Sequence, residues 1–197
     1  VIDTKSCNNL NFYASLRFLD KTTIGDDFAI IRDADTKSKE MVERNLSNQL
    51  KSNINDKFAA KAISLLYITK YSSIEGFLFS PELLVSHDLY NKVEDVYDDL
   101  HKKLTDKKQK FINYFEEQNK GDTDRIDLFK SDYDSKIGDV KGNLDWIKTY
   151  IKGHDYFNPT KSKCISYEKY VDELPEEAFE DLLEFLNNLP YFNDKKL

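Results

Sequence analysis

The sequence FAIIRDADTKSKE, residues 28–40, joins an apolar run to a charged segment. Phe28 to Ile31 form a continuous apolar stretch, which is typical of a central strand in a parallel sheet whose two faces are both covered. Asp33 and Asp35 follow at once, and residues two apart on an extended segment share one side. Ligands of parallel sheets bind beyond the carboxyl ends of the strands, and Mg²⁺ accepts one or two carboxylates with water completing its shell. The segment therefore predicts a divalent metal site, and the alternative is that an aspartate caps the next helix.

Strands and helices alternate through the first 71 residues. We predict strands at 1–5, 28–31 and 65–71, with the last reading LLYITKY. The predicted helices have apolar residues at helical spacing, and a further short helix is expected at about 56–63. The residues of these stripes are Phe12, Leu16 and Leu19 in the first helix, and Met41, Val42, Leu46, Leu50 and Ile54 in the second. This alternation predicts an α/β fold with a parallel sheet flanked by helices.

The rest of the chain has a helical pattern. Residues 91–119 predict one long amphipathic helix, or two, with an exposed charged face, and residues 126–152 are mostly helical in pattern. A last helix is expected to begin at Pro175 and to bury a stripe of Phe179, Leu182, Leu183 and Leu186. We accordingly predict an α/β core at 1–90, a helical insertion at 91–139, and a return to the core with a C-terminal helix at 140–197.

Composition excludes several classes of protein. The 197 residues carry a net charge of −7 with a pI of about 5.1, which argues against a non-specific coat of nucleic acid but allows an enzyme that acts on nucleic acid at one site. No apolar run is long enough to span a membrane. Cys7 and Cys164 stand far apart, which is typical of free thiols in a reducing cytoplasm, and the three histidines lack zinc-ligand spacing. We therefore expect a cytoplasmic protein.

Two further charged residues follow predicted elements. Glu75, in YSSIEGFL, comes after the next strand and could reach the same sheet edge as the two aspartates; otherwise it is a solvated loop residue. Lys152, in KTYIKGHDYF, precedes a glycine, and a cation near a metal could stabilise a phosphate or protonate a leaving oxygen. Lys141 also precedes a glycine and is an equally plain candidate, and any one lysine could simply be solvated.

Three segments carry a resemblance to a known family. FAIIRDADTKSKE, YSSIEGFLFSPELL and LDWIKTYIKGHDYF resemble the TOPRIM-like nuclease domains of OLD-type and related defence systems that work with ABC-type ATPases. The resemblance covers roughly 24–85 and, more loosely, 140–160. It implies a TOPRIM-like sheet whose Asp33 and Asp35 bind Mg²⁺ or Mn²⁺, with Glu75 as a further acid and Lys152 as the family-like lysine. A TOPRIM domain also begins with a strand bearing a catalytic glutamate; that strand does not appear here, so we expect the chain to be a piece of a longer protein or a degenerate domain.

The leading prediction is a metal-dependent endonuclease of a bacterial anti-phage defence system, regulated by an ABC-type ATPase partner. DNA and RNA, including tRNA, are both open as substrates, and a homodimer is open as the oligomeric state. The first alternative is a non-catalytic interaction module whose working surface is the amphipathic segment 91–119. A receiver-like phosphotransfer domain would also use a strand-end aspartate, but it requires an earlier acidic pair that the chain lacks.

Overall fold

The computed structural model describes residues 28–53, 56–157 and 167–189. The predicted strand at 1–5, the helix with Phe12, Leu16 and Leu19, and both cysteines lie outside the described residues. Helices contain 68% of the described residues, and the two described strands form a parallel sheet. The predicted combination of helices with a parallel sheet is confirmed at this level.

From residue 28 onwards the longer elements follow the predicted order, and three short helices (75–78, 81–86 and 167–172) were not predicted. In chain order they are β1 (Ile30–Arg32), α1 (Lys39–Asn53), α2 (Asp56–Ser64), β2 (Leu66–Ile68), α3 (Glu75–Leu78), α4 (Pro81–Ser86), α5 (Val93–Asp106), α6 (Lys108–Gln118), α7 (Thr123–Gly138), α8 (Leu144–Tyr150), α9 (Tyr167–Asp172) and α10 (Glu180–Asn187). Short 3₁₀ turns occupy Gly153–Asp155 and Glu176–Phe179. Among these described helices, none is both long and apolar enough to cross a membrane.

The chain divides into two compact units that interleave along the sequence. Unit 1 contains Val1–Arg32, Ser38–Ile68 and Asp181–Leu197, and unit 2 contains Asp33–Lys37 and Thr69–Glu180. The predicted division at residues 90 and 139 stays a prediction.

Unit 1 contains the sheet and helices α1 and α2. Ile30 pairs with Leu66 and the strands run parallel. Along α1, the side chains of Val42, Leu46 and Leu50 are buried, which confirms most of the stripe predicted there. The prediction that β1 is covered on both faces is wrong, because Ile31 is 53% exposed.

Unit 2 is a helical unit with one aromatic-rich core. The segment 91–119 forms two helices, α5 and α6, which are separated at Lys107. Their buried faces consist of Val96, Leu100 and Leu104 from α5 and Phe111, Ile112 and Phe115 from α6. Helix α7 adds Phe129, Tyr133 and Ile137 to the same cluster. The amphipathic pattern of this region is therefore explained by packing within its own unit.

The C-terminal helix begins later than predicted. Pro175 has an extended ψ of 143° and precedes a 3₁₀ turn, so the α-helix starts at Glu180. No residue of α10 is fully buried, and the predicted buried stripe is wrong for Leu182, Leu183 and Leu186, which are half-buried. Within unit 1, the ring of Phe185 instead packs 5.3 Å from that of Tyr67.

Candidate functional site

Three segments of unit 2 are held together by hydrogen bonds around Ser72. The amide of Asp35 donates to the carbonyl of Ser72 at 2.8 Å, and the amide of Ser72 donates to the carbonyl of Lys148 at 2.9 Å. The Ser72 hydroxyl donates to the carbonyl of Ile151 at 2.5 Å. Ser72 is fully buried, so these bonds satisfy polar groups that water does not reach. Asp35 lies 37 residues before Ser72, and Lys148 and Ile151 lie 76 and 79 residues after it, so the bonds join distant parts of the chain.

The segment Asp33–Thr36, called the acidic turn below, is not extended. Asp35 has φ 51° and Thr36 has φ 66°, both in the left-handed region. The amide of Ala34 donates to the hydroxyl of Thr69 at 3.0 Å, which ties the turn to the residue after β2. The prediction of an extended backbone through this segment is wrong at Asp35 and Thr36. A left-handed turn, stabilised by its neighbours, determines where the carboxylates lie.

Asp33 is a half-buried carboxyl that bonds to the start of α3. Its Oδ1 accepts a hydrogen bond from the amide of Ile74 at 3.0 Å. The alternative that an aspartate caps the next helix is not observed at α1, where the hydroxyl of Ser38 accepts from the amide of Met41 at 3.2 Å. The pKa of Asp33 is raised to about 6, first by burial and then by the charges of Asp35 and Glu75, while the hydrogen bond from the Ile74 amide and the charge of Lys152 lower it.

Asp35 belongs to a three-membered polar cluster with Tyr114 and Lys152. The hydroxyl of Tyr114 donates to Oδ1 of Asp35 at 3.3 Å, and Nζ of Lys152 lies 3.7 Å from the same oxygen. Nζ of Lys152 also donates to the Tyr114 hydroxyl at 3.3 Å and lies 5.2 Å from the centre of its ring. Burial, followed by the charge of Asp35, raises the pKa of Tyr114 above its ordinary value. Tyr114 is therefore a neutral hydrogen-bond donor beside an acid and an amine.

Glu75 is the first residue of α3, and it lies against the turn that carries Lys152. A Cβ atom placed on Gly153 would come within 2.7 Å of the Cβ of Glu75 and 2.5 Å of the hydroxyl of Ser73. The amide of Gly153 donates to that hydroxyl at 3.0 Å. Only glycine allows this close approach, which accounts for the Lys-Gly pair at this place in the sequence.

All four predicted site residues therefore come together in unit 2. Asp35, Glu75 and Lys152 each shift the pKa of Asp33 through their charges, so they lie within electrostatic reach of it. The competing Lys141 is an exposed residue of the turn between α7 and α8. In the described ranges, no group of three or more histidine, cysteine, aspartate or glutamate side chains lies close enough to hold a metal ion. The three-carboxylate metal set Asp33, Asp35 and Glu75 stays a prediction.

The sequence interpretation missed Tyr114, which contacts two of the predicted residues. Helical spacing placed it on the apolar stripe of the segment 91–119, and no local signal separates such a tyrosine from a core residue.

The fold and the site together define a mostly helical α/β protein in which a half-buried carboxyl, a second carboxylate and an amine lie within electrostatic reach of one another. Neither protein-family models, nor curated proteins, nor solved structures match this chain.

Proposed function

We propose that this chain is a Mg²⁺- or Mn²⁺-dependent endonuclease with a TOPRIM-like site. The observation that supports this proposal is the convergence of Asp33, Asp35, Glu75 and Lys152 from three separate segments of unit 2. Hydrolysis of a phosphodiester requires acidic ligands for a cation together with a proton donor for the leaving oxygen.

The chemistry of these side chains fits a hard divalent cation. Carboxylate oxygens are the ligands that Mg²⁺ and Mn²⁺ prefer, and two of them with water suffice for Mg²⁺. The raised pKa of Asp33 reflects burial together with repulsion from Asp35 and Glu75. A divalent cation between these groups would remove that repulsion, so the site gains free energy when it binds one.

Each residue has a role in the proposed reaction. Asp33 and Asp35 would hold the cation, and Glu75 would add negative charge that favours its binding. A bound divalent ion supplies charge to the phosphate and lowers the pKa of water. The attacking water would lose a proton to solvent as its oxygen bonds to phosphorus, the bond to the leaving oxygen would break, and Lys152 would donate a proton to that oxygen. In the described structure the Lys152 amine is within ion-pair distance of Asp35, at 3.7 Å.

The TOPRIM-like resemblance extends this proposal to a cytoplasmic anti-phage defence system with an ABC-type ATPase partner. The acidic composition, with net charge −7, supports a nuclease that is directed to DNA or RNA by a partner rather than by a basic surface of its own.

A metal titration tests the proposed site without requiring cleavage. In Mn²⁺ at about 100 times its Kd, we expect the melting temperature to rise by roughly 5–10 °C, because binding to the native state alone stabilises it. The double variant Asp33→Ala, Asp35→Ala should lose this response. The matched control, Asp98→Ala with Asp127→Ala, removes the same charge at exposed positions of unit 2 and should keep it. A response that survives the first double variant would contradict the assignment.

Cleavage is then assayed with supercoiled plasmid DNA and with tRNA in Mn²⁺. Metal-dependent nicking that Lys152→Met abolishes would support the enzyme. If the chain binds metal but cleaves neither substrate, the proposal would hold for the metal site alone and not for nuclease activity of this chain.

The alternative of a non-catalytic interaction module would depend on the charged faces of α5 and α6, since their apolar faces pack within unit 2. Light scattering distinguishes it from the nuclease: a module requires a dimer or complex that charge reversals on 91–119 disrupt.

A further inference from the structure

The backbone carbonyl of Thr36, in the acidic turn, accepts hydrogen bonds from two residues of the helical region. Nη2 of Arg125 donates to it at 3.1 Å, and Nδ2 of Asn119 lies 3.4 Å from it. Nε of Arg125 also donates to Oδ1 of Asn119 at 3.1 Å, so the two side chains bind each other as well as the turn. Thr36 is only 1% exposed, which means that water does not replace these donors.

Both donors are themselves held in place. Asn119 is the C-cap residue that follows α6; it is fully buried and donates from Nδ2 to the carbonyl of Phe115 at 3.0 Å. The guanidinium of Arg125 lies over two rings, 5.1 Å from the centre of Tyr150 and 5.6 Å from that of Phe115. A planar guanidinium that stacks and donates in two directions at once has one orientation, which a lysine could not reproduce.

The acidic turn requires such support because of its backbone. Thr36 is β-branched and has φ 66°, a conformation that local sterics disfavour and that persists only where surrounding contacts impose it. Its carbonyl is the group that Asn119 and Arg125 bind, and Asp35, at φ 51°, is the adjacent residue.

We infer that Asn119 and Arg125 are positioning residues that hold the acidic turn in its left-handed conformation and so place Asp33 and Asp35. The helical region 108–125 is then part of the site rather than an attachment to it. The consequence for metal binding depends on the proposed function; the consequence for the conformation of the turn does not.

Hydrogen exchange tests the conformational part. The amide of Asp35 is bonded to the carbonyl of Ser72, and that of Lys37 to the carbonyl of Ala34. Arg125→Met should raise the exchange rates of these two amides roughly tenfold, the effect of losing one charge-assisted hydrogen bond. The matched control is Lys130→Met, which removes the same charge from α7 and breaks an exposed ion pair with Glu116 of α6. It should leave both rates unchanged.

The metal titration tests positioning, and the sign of the effect is decisive. Removing a positive charge near a cation site would by itself tighten Mn²⁺ binding. Loss of the position of Asp33 and Asp35 weakens it instead, and we expect roughly tenfold weaker binding in Arg125→Met, with no weakening in Lys130→Met. Arg125→Lys keeps the charge and should fall between wild type and Arg125→Met.

The outcomes are distinguishable. Faster exchange with weaker Mn²⁺ binding supports the inference, whereas unchanged exchange, or faster exchange with unchanged or tighter binding, overturns it. If the wild-type chain does not respond to Mn²⁺, the proposed function is contradicted and exchange alone decides whether the two residues hold the turn. If Arg125→Met does not fold cooperatively, Arg125→Lys is judged by the same two measurements.

Discussion

Asp33 is a carboxyl group in an unfavourable setting. It is half-buried within the electrostatic influence of two other carboxylates, which together raise its pKa to about 6 and disfavour its ionised form. One amide, from Ile74, bonds to it. Groups that destabilise the native state in this manner are typical of functional sites, where a ligand compensates for the cost.

Replacing Asp33 by asparagine should therefore stabilise the metal-free protein. Asparagine retains an oxygen that accepts from the Ile74 amide but removes the charge that Asp35 and Glu75 repel. At pH 7 we expect the free energy of unfolding in urea to rise by on the order of 2 kcal/mol, while the Mn²⁺ response disappears. Asp98→Asn, at an exposed position, is the control and should change neither. A metal-free destabilisation by Asp33→Asn would show that its charge is compensated in the native state.

The same group predicts a pH dependence. The pKa of Asp33 is raised from 3.8 to about 6 on folding, so between these values the native state binds more protons than the unfolded state. The stabilisation from protonated Asp33 is present below about pH 4 and is lost as pH rises through 6. The wild type and Asp33→Asn should thus be similarly stable near pH 4 and diverge by pH 7, as urea unfolding at both pH values would show. Mn²⁺ binding by the wild type should weaken from pH 7 to pH 5, because the proton competes with the metal.

The close contact between α3 and the 3₁₀ turn Gly153–Asp155 depends on the missing side chain at Gly153. A Cβ atom there would overlap both Ser73 and Glu75. This contact places the segment carrying Lys152 beside the segment carrying Glu75, so the geometry of the site is a property of how two short elements meet.

Gly153→Ala should destabilise the protein by about 1–3 kcal/mol, the usual cost of overpacking. The new methyl group must displace Ser73 or Glu75, so Mn²⁺ binding should weaken as well. Gly138→Ala is the matched control: a Cβ at Gly138 would meet nothing within 4 Å, and alanine favours the end of α7 by up to about 1 kcal/mol. Denaturant unfolding of both variants measures the difference, and equal effects would contradict the predicted overlap.

Unit 2 has a core in which aromatic rings are stacked in sequence. The ring of Phe129 lies 3.9 Å from that of Phe115, with 13° between their planes, and 5.4 Å from that of Trp146. Helices α6, α7 and α8 meet through these three residues. Because Tyr114 is on α6, Asn119 directly follows α6 and Arg125 is on α7, the core determines how they face the acidic turn.

Phe129→Ala should cost about 3–5 kcal/mol of unfolding free energy, since it leaves a cavity between stacked rings. Trp146 is the only tryptophan, so its fluorescence reports this core directly. Leu128→Ala changes the neighbouring residue of α7, which is 60% exposed, and should stay within about 0.5 kcal/mol of the wild type. Similar losses of unfolding free energy in the two variants would show that the stacked rings contribute no more to the stability of unit 2 than an exposed residue does.

Helical spacing and apolar runs were enough to locate the longer helices and the two described strands, but not the short helices α3, α4 and α9 or the start of α10. The stripe of Val42, Leu46 and Leu50 predicted α1, and the apolar runs before Asp33 and within LLYITKY predicted β1 and β2. These patterns are local, because each depends only on which neighbouring residues of one element are apolar. The candidate site residues Asp33, Asp35, Glu75 and Lys152 could likewise be chosen from the sequence, because their charges and their positions after predicted elements are local features.

The backbone conformation of the acidic turn and the position of Tyr114 depend instead on contacts between residues that are distant in the sequence. The left-handed backbone at Thr36 runs against the preference of a β-branched residue, and it is imposed by Asn119 and Arg125, which follow it by more than 80 positions. Tyr114 has the sequence pattern of a core residue and becomes a neighbour of Asp35 and Lys152 only through packing of α6 in unit 2. No local propensity records such pairings, because their free energy arises when separate segments exclude water and satisfy one another's polar groups.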